Sequence, residues 1–293
     1  MWRKSVPATE TKNDVPESRP TVTLCVITPC FNPGRFLIPC LESVAAQGDL
    51  VSKHIVMDGG STDGAVEVLE RFGKLNPRLV WSSGADRGQA DALNKALTHV
   101  DTAFFGWLNA DDVYMTGGLA ALIAAIPQGR AGETAIVYGD YQCIDQEGRI
   151  LRSRRQPSFS RFDCLYGYLT VQNVAAIFNA SIARHTSGFE SSLRFAMDYD
   201  LVLRLAGEGA VVHTRAFVGQ FRLHQAAKTS RMQDVCRAET LAIRLKHSRT
   251  PAPLLKPMAI VAKARVALRM AREGCLSCRL QEPLLQRNRP MDL

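Results

Sequence analysis

Between residues 22 and 108 the chain alternates short β-branched runs with longer stretches whose apolar residues recur at helical spacing, and this rhythm constrains the fold most. Val22 to Thr28 is the first run, halted by Pro29, Asn32, Pro33 and Gly34, residues that turn a chain. Arg35 to Gln47 follows, with Leu37, Leu41 and Val44 on one helical face. His54 to Met57 is a second strand, closed by Asp58-Gly59-Gly60-Ser61-Thr62-Asp63, after which Val66, Leu69 and Phe72 mark a helix. Leu79 to Ser82 and Ala103 to Leu108 repeat the pattern around a helical stretch from Ala90 to Leu97. Strands alternating with helices join through right-handed crossovers, so the spacing predicts an α/β fold: a mostly parallel sheet with helices on both faces.

Such sheets bind ligands beyond the carboxyl ends of their strands. Thr28, Asp58 and the Asp111-Asp112 pair each fall just past a predicted strand, which gathers polar residues on one sheet edge. After Ile136 to Tyr138 the rhythm loosens, and Asp145-Gln146-Glu147-Gly148 signals a hairpin.

The length of 293 residues with 46% hydrophobic content suits one catalytic domain with an appendage. Residues 1–20 are polar and lack the apolar core of a signal peptide, so they read as a loose arm. Lys263, Arg265 and Arg269 interrupt the best candidate for a membrane span. The expectation is a cytoplasmic chain, at most peripheral on the inner face of a membrane. Cys25, Cys30 and Cys40 sit in or beside apolar runs and read as buried thiols in a reducing compartment. Cys275 and Cys278 form a lone C-x-x-C that lacks the four ligands of a structural zinc.

The net charge of +8 is concentrated at one end. Residues 231–293 hold 13 Lys and Arg against 5 Asp and Glu, leaving the preceding body neutral. Their interleaving with aliphatics around Pro251 and Pro253 fits an interfacial helix pair on anionic lipid, or helices packed on the body with a solvated face. No aromatic platform accompanies the charge, which argues against nucleic acid.

Adjacent carboxylates such as Asp111 and Asp112 are hard oxygen donors suited to Mg²⁺ or Mn²⁺ carrying a diphosphate, although an acidic turn or helix cap uses the same residues. Asp58 either anchors a glycine turn or grips base and ribose, with Gly59 and Gly60 permitting close backbone approach. Asp198 either caps a helix starting near Tyr199 or serves as a base, and Asp200 is placed to pair with Arg204 one turn on. Gln172 and Asn173 either end a strand or orient an acceptor, His224 is a packed residue or a ligand, and Trp107 reads as core.

Four blocks follow one another in a telling order: Val26 to Asn32, Asp58 to Gly64, Asp86 to Lys95, and Gly106 to Tyr114. With Tyr138-Gly139-Asp140, Phe195 to Leu205 and Phe221-Arg222-Leu223-His224, the set resembles the family 2 glycosyltransferases over about residues 22 to 230. The resemblance implies a GT-A fold in which a Rossmann-like nucleotide half (about 21–115) merges with an acceptor half (about 116–230), followed by the basic helical tail. It implies transfer of a sugar from a nucleotide-sugar to an acceptor hydroxyl with inversion, in cell-surface polysaccharide or other glycan synthesis, the acceptor being a glycan or lipid-linked. Thr28, Asp58, Asp86, Asn94 and Asp111 would then bind the nucleotide-sugar, Asp111, Asp112 and His224 the divalent metal, Asp198 would be the base, and Gln172 and Asn173 would face the acceptor.

Two departures stand out: Gly59 replaces a second acidic residue, and Asn109 replaces the first acid of the DXD-type triplet. Two rival functions are a sugar-nucleotide nucleotidyltransferase and a non-catalytic nucleotide or glycan binder. The first would call for a basic glycine-rich loop where Thr28 to Gly34 offers Pro, Asn and one Gly. The second has no use for a base.

Overall fold

The computed structural model describes residues 22–224, 233–248 and 250–275. The expected N-terminal arm and Cys278 lie outside the described residues.

The first half runs β1 (Leu24–Cys30), α1 (Leu37–Ala45), β2 (Val51–Asp58), α2 (Ala65–Leu75), β3 (Leu79–Ser83), α3 (Gln89–Thr98) and β4 (Phe104–Trp107). β1 pairs in parallel with both β2 and β4, and β2 with β3. The four carboxyl ends therefore share one edge. Leu24, Cys25, Val26 and Ile27 are wholly buried, as a central strand covered on both faces requires. On one face Cys25 and Ile27 join Leu93 and Ala96 of α3, and on the other Leu24 and Val26 join Cys40 and Val44 of α1.

The second half contributes β5 (Val113–Tyr114), α4 (Gly118–Ala124), β6 (Thr134–Ile144), β7 (Ile150–Arg154), α5 (Arg161–Tyr166), β8 (Ala176–Asn179), α6 (Ala180–His185), α7 (Met197–Glu208) and β9 (Ala210–Arg222). The sheet order is β3-β2-β1-β4-β8-β6-β9-β5, with β7 beside β6. β8 is antiparallel to both β4 and β6, whereas β6 and β9 run in parallel. The expected hairpin is present as β6 and β7 around Asp145. Glycine makes one crossing possible: a Cβ on Gly219 of β9 would stand 2.3 Å from the Val174 carbonyl oxygen.

Two tail helices follow, α8 (Gln233–His247) and α9 (Ala252–Arg272). Several tail bases turn inward. Arg265 and Arg269 pair with buried Asp163 at 2.8 and 2.7 Å, Arg244 Nε donates to the Leu165 carbonyl, and His247 meets Asp200 at 3.0 Å. The outward face of α9 still exposes Leu254, Ile260, Val261 and Leu268. Among the described residues no helix is long and apolar enough to cross a membrane. The described cysteines are free thiols, and all but Cys236 are buried.

Candidate active site

The loops after β1 and β2 are stapled together at the common edge. Asn32 adopts a left-handed backbone (φ 47), its amide donates to Ser61 Oγ at 2.7 Å, and its side-chain oxygen accepts from Thr62 N at 2.8 Å. Gly34 N donates to Asp63 Oδ2. Asp58 is buried and accepts hydrogen bonds from the amides of Gly60 and Ser61 and from the hydroxyls of Ser61 and Ser83. Burial opposes its ionisation, but these donors more than offset that and hold the carboxyl below its ordinary range. Asp86, half-buried, accepts from Gly88 N and packs against Gly59, where a Cβ would lie 2.7 Å from its Oδ2. Gly59 thus lets the turns after β2 and β3 touch.

Two expected nucleotide contacts do not fit their surroundings. Thr28 is fully enclosed, and its hydroxyl is taken up by His54 Nε2 at 2.9 Å, so no side-chain group is left to reach the sheet edge. Burial lowers the His54 imidazole to about 3, so it is neutral there. Asn94 is a brace: its Nδ2 donates to the Phe189 carbonyl at 2.7 Å and its Oδ1 accepts from Phe189 N at 2.8 Å. Both faces of the carboxamide are thereby spent on the turn before α7.

Past β4 lies a cluster of polar side chains. His224 Nε2 and Asp111 Oδ2 are 2.9 Å apart, and the Asp111 side chain keeps 30% exposure. Asp112 is wholly buried: Oδ1 accepts from Arg222 N at 2.8 Å and Oδ2 faces Asn109 Nδ2 at 3.4 Å. Burial, reinforced by the Asp111 charge, pushes the Asp112 carboxyl well up. The two neighbours thus have different environments, Asp111 open and Asp112 committed to the end of β9. Sequence reasoning missed Arg222, which is 5% exposed and donates to the carbonyls of Asp111, Asp145 and Gln146. It also missed Phe36, whose ring lies 4.8 Å from that of His224 and 5.0 Å from the Arg222 guanidinium. The only signal was Arg222 standing two residues before His224, and no periodicity foretells what a terminal arginine will clamp.

Asn109 is a junction, its Oδ1 accepting from Trp107 Nε1 at 3.0 Å and from Gln89 Nε2 at 2.9 Å. Trp107 is buried core as expected, edge-on to Phe189. Asn173, also buried, points its Nδ2 at the Trp107 carbonyl, while Gln172 beside it is half-buried. Both therefore sit near the end of β4.

Asp198 occupies the first turn of α7, two residues past the cap position Ala196, and its side chain serves one of the free amides of that turn. Its Oδ1 accepts from Tyr199 N at 2.7 Å. Burial lifts the carboxyl to about 6, against the lowering from its amide partners and with a further raise from Glu239. Asp200 behaves oppositely: burial opposes its charge, but His247, Arg204 and Lys246 outweigh it and hold the group at about 2.

A divalent cation is compatible with the donors at Asp111 and His224, one carboxylate and one imidazole. Among the described residues no three His, Cys, Asp or Glu form a complete cage. Two protein donors suit an ion that takes its remaining ligands from diphosphate oxygens and water, the ordinary habit of Mg²⁺.

Comparison with known proteins adds an independent finding. The family model described as Glycosyl transferase family 2 matches residues 25–185. The chondroitin synthase of Escherichia coli is 26% identical over 192 residues, which are 64% of this chain and 27% of that protein. The hyaluronan synthase of Pasteurella multocida is 25% identical over 218 residues, 73% of this chain and 21% of that protein. The chain therefore spans about a quarter of the length of these curated relatives. Among solved structures, the mannosyltransferase PcManGT from Pyrobaculum calidifontis in complex with GDP-Man and Mn²⁺ superimposes with TM-score 0.59 at 17% identity, covering 88% of this chain and 77% of that one. S. aureus TarS 1–349 in complex with UDP-GlcNAc gives TM-score 0.59 at 16% identity, covering 85% and 72%. These likenesses establish the GT-A type of α/β fold.

Proposed function

The chain belongs to glycosyl transferase family 2, and from that membership we propose that it transfers a sugar from a nucleoside-diphosphate sugar to an acceptor hydroxyl in one inverting displacement. The observation that carries the reading is the pairing of partly open Asp111 with His224 across 113 residues of sequence, at the edge where the parallel strands end. In this reading Asp111 and His224 hold a divalent cation, Mg²⁺ or Mn²⁺, which when bound would neutralise charge on the departing diphosphate. Asp112 acts one step back, holding the Arg222 backbone so that His224 meets Asp111. Asp58 and Asp86 shape the loops against which the nucleoside rests, and Gln172 and Asn173 approach the acceptor from the end of β4.

Asp198 is the general base. The acceptor hydroxyl gives its proton to the Asp198 carboxylate as its oxygen bonds to the anomeric carbon, and the bond from that carbon to the diphosphate oxygen breaks with its electron pair leaving on the diphosphate. A carboxyl lifted to about 6 is ionised at neutral pH yet basic enough to take the proton. Relatives named as chondroitin and hyaluronan synthases support a growing saccharide as acceptor. The outward face of α9, apolar at Leu254, Ile260, Val261 and Leu268 in a helix without a single acidic residue, supports docking on an anionic membrane surface.

The test is release of nucleoside diphosphate from UDP-, GDP- and TDP-sugars with and without Mn²⁺. At least one donor should turn over only with metal, and Asp198→Asn should lower kcat by about 10²- to 10⁴-fold. Turnover should fall in wild type as pH drops through about 6, where Asp198 takes up a proton. Binding of a donor without turnover under any of these conditions would identify a binding module instead.

A further inference from the structure

We infer that Glu239 of α8 is a positioning residue for the base, and that α8 is thereby a working part of the active site. The inference rests on the reading of Asp198 given above.

A helix leaves its first amides without intrahelical partners, and Ala196 at the cap position of α7 makes no side-chain cap bond. Glu239 supplies one from more than forty residues away. Its Oε1 accepts from Arg194 N at 2.7 Å, and its Oε2 accepts from Phe195 N at 2.9 Å and Ala196 N at 2.8 Å. Three amides converging on one carboxylate are charge-assisted bonds that fix backbone direction. Asp198 begins two residues later, so the path of its backbone is set by α8.

The helix that brings Glu239 is itself anchored. His247 Nε2 lies 3.0 Å and Lys246 Nζ 3.5 Å from Asp200 Oδ1, and Arg244 Nε donates to the Leu165 carbonyl at 3.1 Å. A rigid strut therefore runs from the body through α8 to the segment before the base. Among the described residues, the groups that interact electrostatically with Asp198 are Glu239 and Cys236 from α8 and Cys164 from α5, and its neighbour Tyr199 donates an amide hydrogen bond to it. Burial pushes the Cys164 thiol up to about 12 and raises Cys236, so both are neutral, and Glu239 is the charge that Asp198 senses. The family match ends at residue 185, so this arrangement lies beyond the matched segment.

The experiment compares wild type, Glu239→Gln, Glu239→Asp and Asp198→Asn as full chains, using whichever of UDP-GlcNAc and GDP-Man is turned over with Mn²⁺. Glu239→Gln keeps the size and one acceptor oxygen but removes the charge. It should lower kcat about tenfold or more through loss of alignment, leave the donor KM within about twofold, and move the acid limb of kcat to lower pH. Glu239→Asp keeps the charge but withdraws it, and should lower kcat with a smaller movement of the limb. Amide exchange of residues 194 to 198 should accelerate in both, a readout independent of turnover. Wild-type kcat with an unmoved acid limb in Glu239→Gln would overturn the inference, as would a kcat loss matched by an equal loss of donor binding. Full turnover in Asp198→Asn would instead overturn the assignment of the base. An inactive Asp198→Asn beside a fully active Glu239→Gln refutes the positioning role alone.

Discussion

At the scale of single residues, identical side chains next to each other take opposite roles because their surroundings differ. Asp111 is partly exposed and faces His224, while Asp112 is sealed and holds the end of β9 through Arg222 N. Asp112→Ala leaves that buried amide unsatisfied, and should cost about 1–3 kcal/mol of stability while weakening the response of the chain to Mn²⁺. Denaturant unfolding with and without metal checks both, and wild-type stability in this variant would contradict the assigned role. The chemical blocks were legible in the sequence because acidic, glycine-rich and histidine positions fall in an unusual order. What each polar side chain touches was not, since Asn94 and Thr28 spend their polar atoms on Phe189 and His54, partners that tertiary packing alone selects.

At the scale of elements, strand and helix periodicity foretold β1 to β4 and the helices between them, since β1 and β4 are buried on both faces, β2 is mostly buried, and each helix buries one face, while the edge strand β3 was marked by its β-branched and aromatic residues. It did not foretell β5, a two-residue strand, or the antiparallel insertion of β8 between β4 and β6. Short pieces lack enough residues to show a period. The pairing of Asp200 with Arg204 was readable from their spacing, but the joint from α7 to α8 through His247 and Lys246 was not. Asp200→Ala would leave half-buried Arg204 and His247 and exposed Lys246 without their carboxylate, and should destabilise the fold by about 1–3 kcal/mol. Asp200 is held at about 2 against an ordinary 3.8, so its contribution is fully present above about pH 4 and fades as pH falls through about 2. Unfolding midpoints across that window should converge between wild type and variant at the acid end. A constant gap would show that the ion pairs are not the source.

For the whole molecule, charge is unevenly spent. Three tail bases, Arg265, Arg269 and Lys246, are consumed by Asp163 and Asp200, which mount α8 and α9 on the body, while α9 keeps an apolar outer stripe with only basic charges along the helix. Composition suggested membrane docking and packing as alternatives, and the packed face is present beside the exposed apolar stripe on which the docking proposal rests. Cosedimentation with phosphatidylglycerol vesicles should fall sharply in Ile260→Asp/Leu268→Asp, and retention at the wild-type level would remove the stripe from the account. The central proposal is that Asp111 and His224 at the sheet edge hold a cation together with a nucleoside diphosphate. Calorimetric titration of UDP and GDP into the full chain tests it most directly. The account predicts that one of them binds in the presence of Mn²⁺, that affinity drops at least about tenfold without the metal, and that Asp111→Asn abolishes the difference. Equal affinity with and without Mn²⁺ in wild type, or a metal effect that survives in Asp111→Asn, would contradict it.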